Sequence, residues 1–369
     1  MENSTLASTL SSGIIVEQRG RRQRQVKKII LDLAKHCLII GVGMFFALPL
    51  LWMVFTSFKA DRDVFHIPLR LLPYVNSMVT VNGQQLPLYD VTLDNQVRQL
   101  ALVNLDASNG DFVDPKDPTQ TFPNVRMKFA EPVMQVGFRW QNYVDAMNYN
   151  PRSGLGVTIW TYLRNSLIIC VFGIIGTVAS CAVVAYGFAR INFPGRDLLF
   201  VFVMGTIMLP FQAVMIPQYV FFNDFLHWGN TLLPLIAPTF FANAYDIFLL
   251  RQFYKTIPEE LCDAARIDGA SELDIFARVV IPLSRPALAV VAITTFLFHW
   301  NDFQAPLIYL TSPKNFTMAL GLADFQGQRQ ILWNMLMAAS TVFTIPIIVG
   351  FFFAQKEFIQ GIKLTGIKE

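Results

Sequence analysis

The chain is 369 residues long, 53% hydrophobic and only 15% charged, with a formal net charge of +3. That balance excludes a soluble globular domain and fits a polypeptide threaded repeatedly through lipid. Spans are therefore the first thing to seek: lipid gives backbone groups no hydrogen-bond partner, so each crossing needs a helix of about 20 mostly apolar residues.

Residues 1–36 form a basic segment carrying Arg19, Arg21, Arg22, Arg24, Lys27, Lys28 and Lys35. Beside an apolar run, such a cluster reads as a positive-inside anchor rather than a nucleic-acid patch. The first span is expected at 37–58, Cys37 to Phe58, with no Asp, Glu, Lys or Arg inside it. The run is longer than a usual signal-peptide core and no A-x-A-like site follows it, so it is read as uncleaved.

Residues 59–158 have a different composition and are expected to form a separate module on the outer face. Met78 to Val81 and Leu86 to Val91 are β-rich runs around Asn82-Gly83, a dipeptide whose tolerance of positive φ makes it a strong hairpin signal. Val125, Met127 and Phe129 alternate in the same way. Asp106 to Pro118, rich in Asp, Asn, Gly and Pro, reads as a solvated loop; Asp111, Asp114 and Asp117 lack the spacing of an EF-hand calcium loop.

Residues 159–355 hold the remaining spans: Asn165 to Ala189, Leu198 to Phe222, Thr231 to Leu250 with one acid at Asp246, Pro286 to Trp300 extending toward Tyr309, and Ile331 to Ala354. Residues 356–369 form a short tail. With the N-terminus inside, the inner segments hold 17 of the 29 basic residues, and the two short outer loops hold only Lys314 and Arg329. Six spans with both termini cytoplasmic fit the positive-inside rule.

The inner loop at 251–286 reads RQFYKTIPEELCDAARIDGASELDIFARVVIPLSRP. Pro258 suits a first helical position, and Glu259 and Glu260 put negative charge at the positive end of the helix dipole. Gly269 stands where a left-handed residue ends that helix, and Ser271 with Asp274 forms a capping-box pattern that starts another. Pro282 and Pro286 break the second helix before the fifth span.

This loop resembles the EAA loop of binding-protein-dependent ABC importers, carried here by Asp263, Ala264, Ala265, Gly269 and Val280-Ile281-Pro282. Asp263 stands where that family commonly has Glu, and Ile281 where Leu is usual. The likeness to carbohydrate permeases of the maltose-transporter type extends through Leu50-Leu51-Trp52, Tyr186-Gly187-Phe188-Ala189-Arg190, Phe193-Pro194-Gly195 and Leu209-Pro210-Phe211-Gln212. It resumes at Trp300-Asn301-Asp302-Phe303 and Met337-Ala338-Ala339-Ser340, while residues 59–158 do not fit the shorter members.

The resemblance implies an all-α polytopic membrane protein of the type I ABC importer permease fold, with six transmembrane helices and a β-containing extracytoplasmic insertion. It implies a non-catalytic subunit of the bacterial cytoplasmic (inner) membrane that translocates a mono- or oligosaccharide or related polyol by alternating access. Its partners would be a second homologous permease subunit, two ATP-binding cassette subunits, an extracytoplasmic solute-binding protein and membrane lipid, with no nucleic acid. No Walker A pattern occurs, so ATP and Mg belong to the partner ATPase and no cofactor to this chain. His36, His66, His227 and His299 show no metal spacing, and Cys37, Cys170, Cys181 and Cys262 suggest no disulfide framework.

The residues expected to dock the ATPase subunit are Glu259, Glu260, Asp263, Ala264, Ala265, Asp268, Gly269, Ala270 and Ser271. Polar residues at membrane depth mark a solute path, here Gln212, Asn243, Thr294, Thr295, Trp300, Asn301 and Asp302; Trp300 offers an aromatic face for a sugar ring, or an interfacial anchor. Asn315, Asp324, Gln326 and Gln328 are the candidates for contact with the binding protein, or form a plain polar connection. Another small polar solute, such as a polyamine or amino acid, is the alternative cargo. A membrane-anchored sensor using the insertion is the alternative class, against which the absence of a cytoplasmic output domain counts.

Overall fold

The computed structural model describes the backbone of residues 2–65, 71–93, 96–106, 108–149, 156–326 and 331–366. Side chains are described from Lys27 to Phe353 within those stretches, apart from Arg62 and Asp324, and at Gln355. His66 and Gln328 lie outside the described residues. The chain divides into two units, Met1–Phe55 and Thr56–Glu369.

Helix α1, Glu2–Ser57, nearly coincides with the first unit and runs unbroken through the expected boundary at 36/37. Leu38, Ile39, Phe45 and Phe46 are 68%, 68%, 69% and 75% exposed. A helix apolar on all sides needs an apolar solvent or partner around it, which is the condition of a membrane span.

The second unit opens with strands β1 (Tyr74–Asn76), β2 (Met78–Val81), β3 (Gln84–Leu93), β4 (Gln96–Asp106), β5 (Asn109–Val113), β6 (Thr121–Arg126), β7 (Ala130–Pro132) and β8 (Met134–Val136). The hairpin forms where Asn82-Gly83 predicts it: both residues have positive φ, 51° and 81°, and Val81 faces Gln84. An antiparallel sheet runs β2-β3-β4-β5-β6, with β7 on β3, and β1 pairs with β8. The Asp106–Pro118 loop expectation is corrected, because β5 lies inside it with Phe112 and Val113 buried. Two apolar side chains at the strand's end outweigh the polar composition around them, and Asp114 and Asp117 accept hydrogen bonds from Lys116 and Thr119 in the following turn.

After α2 (Gln141–Asn148), helix α3, Ile159–Arg190, is the central rod. One end, through Tyr162 and Ile169, enters an apolar cluster with Phe316, Met318, Phe325 and Ala338. The other, through Cys181, Ala185 and Tyr186, enters a second with Leu250, Tyr254, Ile275, Val280 and Val291. Small residues set its packing distance: a Cβ on Gly176 would lie 2.3 Å from Thr239 Oγ1.

The third span is not the continuous helix expected from its composition. Helices α4 (Arg196–Thr206) and α5 (Phe211–Val220) meet at a 93° bend. Pro210 supplies the reason: it has no N–H, sits in extended backbone at ψ 141°, and disfavours helix in the residue before it. The fourth span is also interrupted, with α6 (Leu233–Ile236) and a tight turn at Ala237–Phe241 before Ala242 at φ 60° and α7 (Ala244–Thr256). Helix α8 (Glu259–Ile267), α9 (Glu272–Ile275), a wide turn and α10 (Ile281–Leu283) form the following loop.

Helix α11, Arg285–Asn301, leaves that loop through a 77° bend, and the stretch toward Tyr309 is a separate helix α12, Gln304–Tyr309. After α13 (Met318–Gly321), helix α14, Trp333–Gly366, extends past the expected end at residue 354. Among the described residues four helical stretches, the interrupted Leu233–Thr256 counted as one of them, are long and apolar enough to cross a membrane, and two bent pairs raise the number to six if each is one span.

Candidate functional site

The loop at 251–286 folds as its local chemistry dictates, with one shift. Pro258, at ψ 135°, is the N-cap rather than the first helical residue, so α8 starts at Glu259. Its end is a complete Schellman arrangement: Ala270 N–H donates to Ala265 O at 2.9 Å, Gly269 N–H donates to Arg266 O at 3.0 Å, and Gly269 takes φ 83°. Ser271 then caps α9, with the Ser271 and Asp274 side chains each accepting from the other's backbone N–H.

One face of the loop is seated and the other is free. Cys262, Ile275 and Val280 are buried against Tyr186, Leu250 and Tyr254 at the ends of α3 and α7. Ile267 and Leu273 are 86% and 79% exposed, beside exposed Ala264, Asp268 and Gly269; Glu259, Glu260 and Ser271 are exposed, and Ala265 and Ala270 half-buried.

A polar chain crosses the loop. Arg266 donates to Asp263 at 2.7 Å and to Glu272 at 3.0 Å, and Glu272 Oε2 accepts the Tyr186 hydroxyl at 2.6 Å. Asp263, one of the residues expected to dock the ATPase subunit, is thus already paired within the chain. The Tyr186 hydroxyl, and then Arg266, hold the Glu272 carboxyl below the usual carboxylate range. The Ser271 hydrogen bonds do the same for Asp274, with Arg278 adding to them. Arg190 donates to the carbonyls of Tyr254 and Ile257, fastening the end of α3 to the end of α7.

A cavity of about 760 Å³ lies among α3, α5, α7, α11 and α12. Four of the expected path residues line it: Asn243, Thr294, Thr295 and Asp302. Asn243 is fully engaged there, capping α7 through Asp246 N–H at 2.9 Å and donating to Asp246 Oδ2 at 2.7 Å. Thr294 donates to Val290 and Val291 carbonyls, and Asp302 accepts from Ala305 N–H.

The other three path residues lie elsewhere. Gln212 and Asn301 are exposed outside the cavity. Trp300 is corrected outright: it is fully buried, its Nε1–H donates to Phe343 O at 3.0 Å, and its ring stacks on Phe296 and Phe343. An aromatic face already covered on both sides has none left for a sugar ring. Sequence reasoning missed Gln218, Tyr245, His299, Gln304 and Tyr309 on the cavity wall; their only linear signal is polarity or aromaticity within apolar runs.

In the stretch 311–330, Asn315 donates to Asn230 O at 2.5 Å, and Asn230 Oδ1 accepts from Thr311 and Ser312 N–H. Gln326 is exposed and bridges to Ile331, and the Asp324 backbone lies in the turn Leu322–Phe325. Among the described residues no cluster of three His, Cys, Asp or Glu side chains could hold a metal ion.

Residues 179–363 match the family described as binding-protein-dependent transport system inner membrane component. The arabinooligosaccharides transport system permease protein AraQ of Halalkalibacterium halodurans is 35% identical over 209 residues, covering 57% of this chain and 74% of that protein. The trehalose/maltose transport system permease protein MalG of Thermococcus litoralis is 28% identical over 350 residues, covering 94% of this chain and 99% of that protein, so its alignment runs through the β-strand insertion. A crystal structure of a bacterial ABC transporter involved in the import of the acidic polysaccharide alginate superposes with a TM-score of 0.61 at 17% identity, covering 89% of this chain and 96% of that one. The loop, the broken apolar helices and these matches agree, and the chain belongs to the family of binding-protein-dependent transport system inner membrane components.

Proposed function

We propose that the chain is the permease subunit of an ATP-driven importer that carries a carbohydrate, a mono- or oligosaccharide or related polyol, across the bacterial cytoplasmic membrane by alternating access. Six spans, counting each bent pair as one, put both termini in the cytoplasm and residues 59–158 outside. The chain works beside a second homologous permease subunit, with two ATP-binding cassette subunits that hold the ATP and Mg, and with an extracytoplasmic solute-binding protein. The relatives named for arabinooligosaccharides and for trehalose and maltose support a saccharide cargo.

The observation that carries the reading is the half-seated loop. Its buried face is fixed to α3 and α7, while Ala264, Ile267, Gly269 and Leu273 stand free for a partner. Small residues let that partner approach the backbone, and Glu259, Glu260 and Asp268 offer it negative charge. A push on the loop passes through Arg266, Glu272 and Tyr186 into α3. Asn315, Asp324, Gln326 and Gln328 are proposed to face the binding protein on the opposite side.

The test is affinity purification of the tagged chain in mild detergent with assay of bound ATPase activity, together with uptake of radiolabelled maltose by cells. Gly269→Ala strains the left-handed backbone by about 1–2 kcal/mol yet meets no heavy atom within 4 Å; Gly269→Trp adds bulk on the docking face. The ATP-binding subunit should accompany the native and Ala chains and be released or uncoupled by Trp. A chain that purifies alone in every form overturns the reading.

A further inference from the structure

We infer that the cavity among α3, α5, α7, α11 and α12 is a binding subsite for one neutral polyhydroxylated ring and selects against anionic saccharides, an inference that rests on the carbohydrate reading above. Two groups on its wall carry it. Asp246 is 6% exposed; Asn243 satisfies its Oδ2, while its Oδ1 has no hydrogen-bond partner. Tyr309 is 5% exposed, and its hydroxyl likewise has none. Buried polar atoms are nearly always paired, because leaving one unpaired forfeits its hydration without return.

Both orphans line the same cavity of about 760 Å³, within the range of roughly 300–1,000 Å³ typical of small-molecule sites. The ligand that completes them must donate to the Asp246 carboxyl and exchange a hydrogen bond with a phenol. A sugar hydroxyl does both, since it is donor and acceptor at once. Phe211 and Phe298 on the wall supply aromatic surface for the C–H faces of a ring.

Charge decides between kinds of saccharide. Among the described residues no Lys or Arg lines the cavity, whereas Asp246 and Asp302 both do, and the basic nitrogens on the described wall are those of the His299 imidazole. A uronic acid brought there loses its hydration, finds no guanidinium or ammonium to replace it, and meets two carboxyl groups. A neutral ring has no such penalty.

A binding protein selects ligands on its own account, so the test measures equilibrium binding to the purified membrane complex without it. The probes are radiolabelled maltose, trehalose and arabinobiose as neutral saccharides, and digalacturonate as the anionic one. At least one neutral probe should bind, and digalacturonate should bind about tenfold or more weakly. Asp246→Asn and Tyr309→Phe should each weaken the neutral probe about five- to tenfold, as expected for one altered hydrogen bond. Digalacturonate bound as tightly as the neutral probes overturns the inference, and so does native affinity in both variants. If the variants do not assemble, the anion comparison on the native complex decides alone. Binding of no saccharide also overturns the subsite, while the uptake assay separately decides whether the carbohydrate reading stands.

Discussion

Replacing Tyr186 by Phe removes one hydroxyl from the joint between loop and membrane helix and leaves the ring packed. The Tyr186 hydroxyl lies 2.6 Å from Glu272 Oε2, and Glu272 also holds Arg266. A hydrogen bond to a charged group is worth about 1.5–3 kcal/mol in a dry site. The Glu272 side chain is 48% exposed, and screening by water brings this to about 1 kcal/mol, or about fivefold in the population of the fastened arrangement. The assay is solute transported per ATP hydrolysed by the assembled complex in lipid vesicles. Tyr186→Phe should lower that ratio by up to about fivefold, and Glu272→Gln by at least as much because it also weakens the Arg266 pair. The double variant should be no worse than Glu272→Gln alone, since both changes break the same bond. A double variant whose loss equals the product of the two single losses would show that the two residues act separately, and the joint would have to be abandoned.

Three further outcomes are expected. Gly321→Ala places a methyl 2.0 Å from Cδ2 of fully buried Tyr162, which should cost about 1–3 kcal/mol as overpacking; less monodisperse protein after heating would register it, and an unchanged melting profile would contradict the packing. Trp300→Phe loses the bond to Phe343 O and should reduce thermal stability with solute affinity unchanged, so a weakened affinity would return Trp300 to the solute path. Glu272 and Asp274 have carboxyls held below their ordinary values, so their contribution to loop stability is fully present above the unfolded range near about pH 4. It is lost as pH falls through the depressed values; hydrogen-exchange protection over residues 259–275, corrected for the intrinsic pH dependence of exchange, should be flat from neutrality to about pH 5 and fall only below about pH 4, and a fall already at pH 6 would refute this assignment.

The sequence was most informative where structure is decided within a few residues. Ser271 reaches Asp274, Gly269 closes on Arg266, and Asn82-Gly83 turns its hairpin, all by local chemistry that a linear reading sees. Long apolar helices were legible for the same reason, since a run's hydropathy is a local sum. The bend at Pro210 was not, because a straight and a broken span share one composition and membrane helices tolerate proline. The cavity was least visible: it needs Thr177, Asp246, Thr295 and Tyr309 to meet from four elements, and no spacing along the chain encodes that meeting. Trp300 misled because its neighbours Asn301 and Asp302 are polar, while the residue that claims its indole, Phe343, is 43 positions away.

Strands β1 and β8 pair at Tyr74↔Val136 and Asn76↔Met134, so the chain enters and leaves the insertion through a two-stranded clasp. Everything between Ser77 and Val133 is a detour whose ends are already held together. Lengthening, trimming or exchanging that detour leaves the clasp itself unchanged, and the entropy of closing a longer loop grows only slowly with its length. Selection can therefore rework the insertion without retuning the membrane core, much as a plug is changed without rewiring the socket. A sheet of another length or sequence can therefore be transplanted into this chain at the clasp.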